Sequence, residues 1–290
     1  MTDHPPTQTT PADRWVVAFA LVYPTALTYL YFTLLAAAPP AVQNLSSAGL
    51  KCIQFGFPLY WVYRVQGKGV RNLLPERPDG CFAQKVPDPF SLGHIWRCWR
   101  RRLSPYRYFR VQRRLLRLRP SGSAGIVWGI LFGAAVAAAM WLLYRYLLLP
   151  RGLMDQAAVA IRQKIVGFGV DTLPAYAALA VFYSLIHSFL EEYYWRWFVF
   201  AQLRRLTTVA TAVTISSLGF AAHHVLLLGT FFGFDSPLTW LLSAAVAVGG
   251  AVWAWLYQTS RSLAAVWLSH LMVDAGIFLL GYEMFRGDLW

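Results

Sequence analysis

The chain has 290 residues, of which 57% are hydrophobic and 16% aromatic, against 13% charged and a formal net charge of +13; its mean hydropathy is +0.44. This balance excludes a soluble globular domain and describes a polytopic α-helical membrane protein. The apolar runs are about 20 residues long, as a bilayer-crossing helix requires, whereas barrel strands would be shorter and alternating.

Seven spans are predicted in chain order, over 15–37, 47–63, 125–148, 173–200, 207–228, 237–257 and 262–280. The first follows Arg14 and resembles a signal peptide, but its apolar region is longer than an h-region and Pro39 and Pro40 occupy the cleavage position. It is read as an uncleaved anchor. The second is the weakest, because it holds Lys51, Gln54, Gly56 and Pro58.

Fifteen of the 26 Lys and Arg residues lie between Arg64 and Arg119, opposed only by Glu76, Asp79 and Asp88. The positive-inside rule puts this loop, between spans two and three, in the cytoplasm. Alternating the spans from there puts Arg14, Arg204, Arg205 and Arg261 inside as well, with the N-terminus cytoplasmic and the C-terminus outside. The expected address is a cell (inner or cytoplasmic) membrane. Within the loop, residues 96–119 alternate Arg with Trp, Tyr and Phe. Such a segment suits anionic lipid headgroups, at roughly 1 kcal/mol per basic residue near the surface. No nucleic-acid motif accompanies it, so no nucleic-acid partner is expected.

The outer loop, 151–171, carries Arg162 and Lys164, and its stretch 154–166 reads as a short interfacial helix. Cys52, Cys81 and Cys98 are odd in number and imply no disulfide framework. The chain thus divides into an N-terminal membrane region, 1–122, and a second region, 123–290, with its chemistry over 173–280.

That chemistry is a set of polar residues where bilayer depth makes them costly, which is the default mark of a functional site. Glu191, Glu192 and Arg196 lie in the fourth span, Phe220 and His224 in the fifth, His270 and Asp274 in the seventh. Four-residue spacing puts His187 near Glu191 and Glu192 near Arg196, and turns the two glutamates about 100° apart. Glu192 then pairs with Arg196 while Glu191 faces a cavity. At 1.5 Å per residue, all three groups fall well inside the membrane. His223, adjacent to His224, is placed on another face.

Three stretches, Glu191-Glu192-Tyr193-Tyr194-Trp195-Arg196, Phe220-Ala221-Ala222-His223-His224 and His270-Leu271-Met272-Val273-Asp274, resemble the motifs of the CPBP intramembrane proteases. This family, also called Abi or CAAX-protease and bacteriocin-processing proteins, includes the type II CAAX prenyl endopeptidases. The resemblance covers 173–280 and implies hydrolysis of a peptide bond in a membrane-associated protein or peptide. It implies that Glu191 and His224 activate a water while His270 and Asp274 stabilise the oxyanion, with Glu192, Arg196 and Phe220 in support. Asp274 departs from the Asn of the prenyl endopeptidases. An ionised Asp cannot donate to an oxyanion, so it is either protonated or orients His270 as an acceptor.

No cofactor is expected. The alternative is zinc held by Glu191, His224 and His270 with His187 or Asp274, which supply suitable donors, although no His-Glu-x-x-His sequence occurs. Two other classes compete with the enzyme: a transporter using the buried Glu, His and Asp as a proton or cation relay, and a non-catalytic scaffold or immunity protein. A transporter would more often show inverted repeats and broken helices, which the sequence lacks.

Overall fold

The computed structural model describes residues 10–66 and 122–286, all of whose regular structure is helical. The basic stretch beyond 66, with Cys81 and Cys98, lies outside the described residues. Eight helices follow in order: α1 (Pro11–Leu34), α2 (Pro40–Tyr60, continued by a π-helical turn Trp61–Val65), α3 (Ala124–Leu148), α4 (Asp155–Gly167), α5 (Leu173–Leu206), α6 (Val209–Phe232), α7 (Pro237–Ser260) and α8 (Leu263–Phe285). Hydroxyl N-caps start the motif-bearing helices: Thr172 accepts from the Ala175 amide, Thr208 from Thr211 and Ser262 from Ala265.

Six of these helices, all but α2 and α4, are long and apolar enough to cross a membrane. Helix α2 falls short in composition, yet it runs antiparallel to α1 over the whole of that helix. Near the turn, Gln43 donates to the carbonyls of Ala36 and Ala38 at 3.3 and 2.8 Å. Further along, Tyr23 donates to the Leu50 carbonyl at 3.0 Å and Phe19 meets Phe57 edge-on at 4.9 Å. At the far end the Gln66 amide reaches Gln202, 3.0 Å away, and Arg205 joins Gln202 to Asp13 at the start of α1. The polar residues that weaken α2 as a membrane segment face inward: Gln54 is 2% exposed.

Helix α5 is the axis of the bundle. Its mid-section, from Tyr194 to Phe200, buries Tyr194, Trp195, Phe198, Val199 and Phe200. At 34 residues it is about 51 Å long, against a bilayer core of about 30 Å, so it tilts or projects. It is not uniformly α-helical: π-helical segments Phe182–His187 and Tyr193–Phe200 flank the short α segment Ser188–Glu192. π-Helical turns also end α1, α2 and α3; in α5 they bracket the two glutamates.

Helix α8 is set against α3 by glycines four residues apart. A Cβ on Gly129 would collide with the Ala265 carbonyl oxygen, and one on Gly133 would lie 2.6 Å from that of Ser269. Among membrane helices, which gain little from apolar burial, such small residues allow the close backbone approach that holds a pair together. The contact fixes the depth and rotation of α8 one residue before His270.

Helix α4 lies over 155–167, where the sequence predicts a short helix over 154–166. Lys164 on it is half-buried, over the rings of Tyr31 and Phe168 at 5.1 Å each and within 3.4 Å of the Gln43 amide oxygen. Burial holds its ammonium below the ordinary lysine range. This lysine ties α4 to the α1–α2 turn, which accounts for a positive charge on the side where the topology predicts few.

Candidate active site

The described bundle brings three carboxylates, four imidazoles and one guanidinium together from α5, α6 and α8. Glu192 is fully buried, and its Oε1 accepts from Arg196 Nη1 at 2.9 Å. The guanidinium continues to the Gly250 carbonyl on α7 at 3.3 Å and lies over the rings of Phe220 and Trp253 at 4.8 and 5.1 Å. A buried ion pair is tolerable only when further hydrogen bonds and contacts satisfy it, and here the Gly250 carbonyl and the two aromatic rings do so. Phe220, one motif residue, therefore serves as the floor on which Arg196 rests.

The same Oε1 also meets His270 Nδ1 at 2.7 Å. A carboxylate paired with arginine is ionised and can only accept, so His270 Nδ1 carries the proton. The ring lies nearly parallel to Trp253, 4.3 Å away at 20°, and Trp253 is itself fixed by donating Nε1 to Ser269 Oγ at 2.9 Å. Nε2 of His270 is thereby aimed at Glu191 Oε2, 3.8 Å away, and Asp274 Oδ1, 3.5 Å away. Two further α5–α8 hydrogen bonds keep these helices in register: Tyr176 to the Phe278 carbonyl at 2.8 Å and Trp267 to that of Leu185 at 3.0 Å.

Glu191 is 5% exposed, and among the described residues the partners within ion-pair distance of it are histidines. Polar motif residues on three apolar helices, α5, α6 and α8, converging in the buried interior of the bundle, mark the region. Residues 173–276 form an Rce1-like segment. The matching family model is described as type II CAAX prenyl endopeptidase Rce1-like. It opens on the first residue of α5 and closes within α8 two residues beyond Asp274, leaving α1 to α4 outside. Neither curated proteins nor solved structures give a match.

Within the Rce1-like segment the motif residues divide differently from what spacing alone suggests. Glu191 and Glu192 do point to different partners, but Glu192 joins Arg196 to His270 as well as pairing with the arginine. His223, which the sequence turned away from the site, instead places Nε2 3.6 Å from Glu191 Oε1. The cause is packing: its ring lies parallel to the buried Trp195 ring at 5.9 Å and 6°. The histidines within ion-pair distance of Glu191 are His187, His223 and His270; His224 is not among them. His224 meets the Phe220 carbonyl through Nδ1 at 2.9 Å. A carbonyl only accepts, so Nδ1 bears the proton; in the neutral ring Nε2 is then the acceptor.

Among the described residues, no three His, Cys, Asp or Glu side chains are spaced to hold a metal ion. Trp253 and Gly250, which support His270 and Arg196, had no distinguishing signal in an apolar run.

Proposed function

We propose that the protein is an intramembrane endopeptidase in which Glu191 is the general base and His270 faces the developing oxyanion. The observation that carries this reading is the opposition of Glu191 Oε2 and His270 Nε2 at 3.8 Å, from two helices, in the buried centre of an apolar bundle whose motif-bearing part is Rce1-like. At 3.8 Å the two atoms leave no room for a group between them, so a scissile carbonyl would approach both from one side, its oxygen toward the His270 donor and its attacking water toward the Glu191 base. The substrate class is a membrane-anchored protein or peptide.

In the proposed reaction, Glu191 takes a proton from a water whose oxygen bonds to the carbonyl carbon, and the carbonyl π pair moves onto its oxygen. His224 accepts the water's second hydrogen at Nε2 and orients it. His270 donates from Nε2 to the oxyanion, its cationic ring matched by Glu192 on one nitrogen. Asp274 lies 3.5 Å from that Nε2, longer than a tight hydrogen bond, so it steadies the ring as an acceptor without capturing the proton. Collapse breaks the C–N bond as Glu191 returns its proton to the leaving nitrogen. The chemistry needs no resident metal.

The test is cleavage of a library of membrane-anchored peptides, prenylated and plain, by purified protein and by Glu191→Ala, His224→Ala and His270→Ala. Each variant should lose about 100-fold or more, the usual scale for a positioned acid, base or oxyanion donor. Survival of full activity in all three would refute the site. Activity that disappears with chelator and returns with zinc would replace the metal-free step by a zinc water.

Orientation follows from charge. Asp13, Gln66, Gln202, Arg204, Arg205 and Gln258 gather at one end of the bundle, the end at which the basic stretch begins, and we place it in the cytoplasm. Five spans follow that stretch, so a reporter after Trp290 should read non-cytoplasmic whether or not α2 crosses. Asp13 and Gln66 share that end, so a reporter before Met1 should also read cytoplasmic, with α2 crossing; an external signal would contradict this placement.

A further inference from the structure

Two histidines outside the motif positions close on a single atom. His187 Nε2 on α5 stands 3.4 Å, and His223 Nε2 on α6 stands 3.6 Å, from Glu191 Oε1. The other oxygen, Oε2, is the one that faces His270.

Neither ring is free to turn. His187 meets Tyr183 at 4.8 Å and 60°, and the ring of Phe55 from α2 edge-on at 6.4 Å. His223 lies along Trp195 and meets Phe220 edge-on at 5.5 Å. Trp195 and Phe220 are 1% and 2% exposed, so packing, not Glu191, decides where the His223 ring points. Its Nδ1 is buried without a hydrogen-bond partner, which leaves Nε2 as the atom through which the ring meets a polar group.

We propose that His187 and His223 are positioning residues that hold the Glu191 carboxylate in one orientation by N–H donation to Oε1, reserving Oε2 for the water proton. This rests on Glu191 being the base. A glutamate has three rotatable side-chain bonds, and a reacting group displaced by about 1 Å can lose about 100-fold in rate. Two donors from different helices on one oxygen remove that freedom. Their separations exceed tight hydrogen bonds, as catalytic contacts often do before substrate closes the site. The arrangement also assigns the histidines distinct work: His224 for the water, His270 for the oxyanion, His187 and His223 for the base.

The experiment uses full-length protein in detergent and the library peptide that wild type cuts fastest. His187→Ala and His223→Ala should each lower kcat about 10- to 100-fold with KM within about twofold, because neither ring touches the peptide. His187→Gln and His223→Gln, which return an N–H near the same position, should recover most of the loss. If the alanine variants do not fold, as judged by thermal melting, the glutamine variants carry the test through their kcat. Alanine variants with wild-type kcat, a loss expressed in KM, or glutamine variants no better than alanine would overturn the proposal. Glu191→Gln in parallel separates the two readings. Wild-type cleavage by Glu191→Gln removes the base itself, whereas an inactive Glu191→Gln beside fully active histidine variants removes only the positioning role.

Discussion

Arg196→Leu should destabilise the protein by about 3–5 kcal/mol, the usual cost of leaving one partner of a buried pair uncompensated. Arg196 is 2% and Glu192 0% exposed, so no water is at hand to replace the lost charge. The substitution also strips the contacts to the Gly250 carbonyl, Phe220 and Trp253, loosening α5 from α6 and α7. Thermal melting in detergent measures it. The double variant Glu192→Leu with Arg196→Leu should recover most of the stability, since a buried ion pair replaced by apolar residues of similar size is often neutral. It should not recover cleavage, because His270 Nδ1 would have lost the acceptor that aims its ring. A double variant that is stable and fully active would show that the Glu192–His270 contact has no part in catalysis.

Glu191→Gln should reduce cleavage by about 100- to 10,000-fold, the range for loss of a general base, while leaving melting close to wild type. Glutamine has nearly the same shape and can still accept at Oε1 from His187 and His223, so the helices have no reason to move. It cannot take a proton from water at neutral pH. The substitution thus separates chemistry from architecture, which alanine at the same buried position would not. A large fall in melting temperature would instead mean that the carboxylate holds α5, α6 and α8 together.

The sequence and the bundle agree where the information is local. Apolar runs of membrane length, the short helix over α4 and the four-residue pairing of Glu192 with Arg196 all depend on near neighbours. What could not be read is tertiary. The weakness of α2 comes from Lys51, Gln54, Gly56 and Pro58, and only the fold shows Gln54 turned inward and α2 running the length of α1. The sequence places His223 on another face from His224; its orientation depends on stacking against Trp195, 28 positions earlier in the chain. The Glu192–His270 contact joins residues 78 apart, and no local pattern predicts it. The π-helical segments of α5 likewise leave no simple sequence mark, yet they bracket the residues that matter most.

The most direct test of the central claim is cleavage in the bilayer itself. Wild-type protein reconstituted in liposomes with a membrane-anchored peptide library is incubated, and new peptide termini are read by mass spectrometry. Defined new termini at bonds near the membrane, missing when Glu191→Gln is used, are the predicted result. No new termini across the library, with a proton flux through the wild-type protein that Glu191→Gln abolishes, would contradict it and assign the buried carboxylates and histidines to a relay.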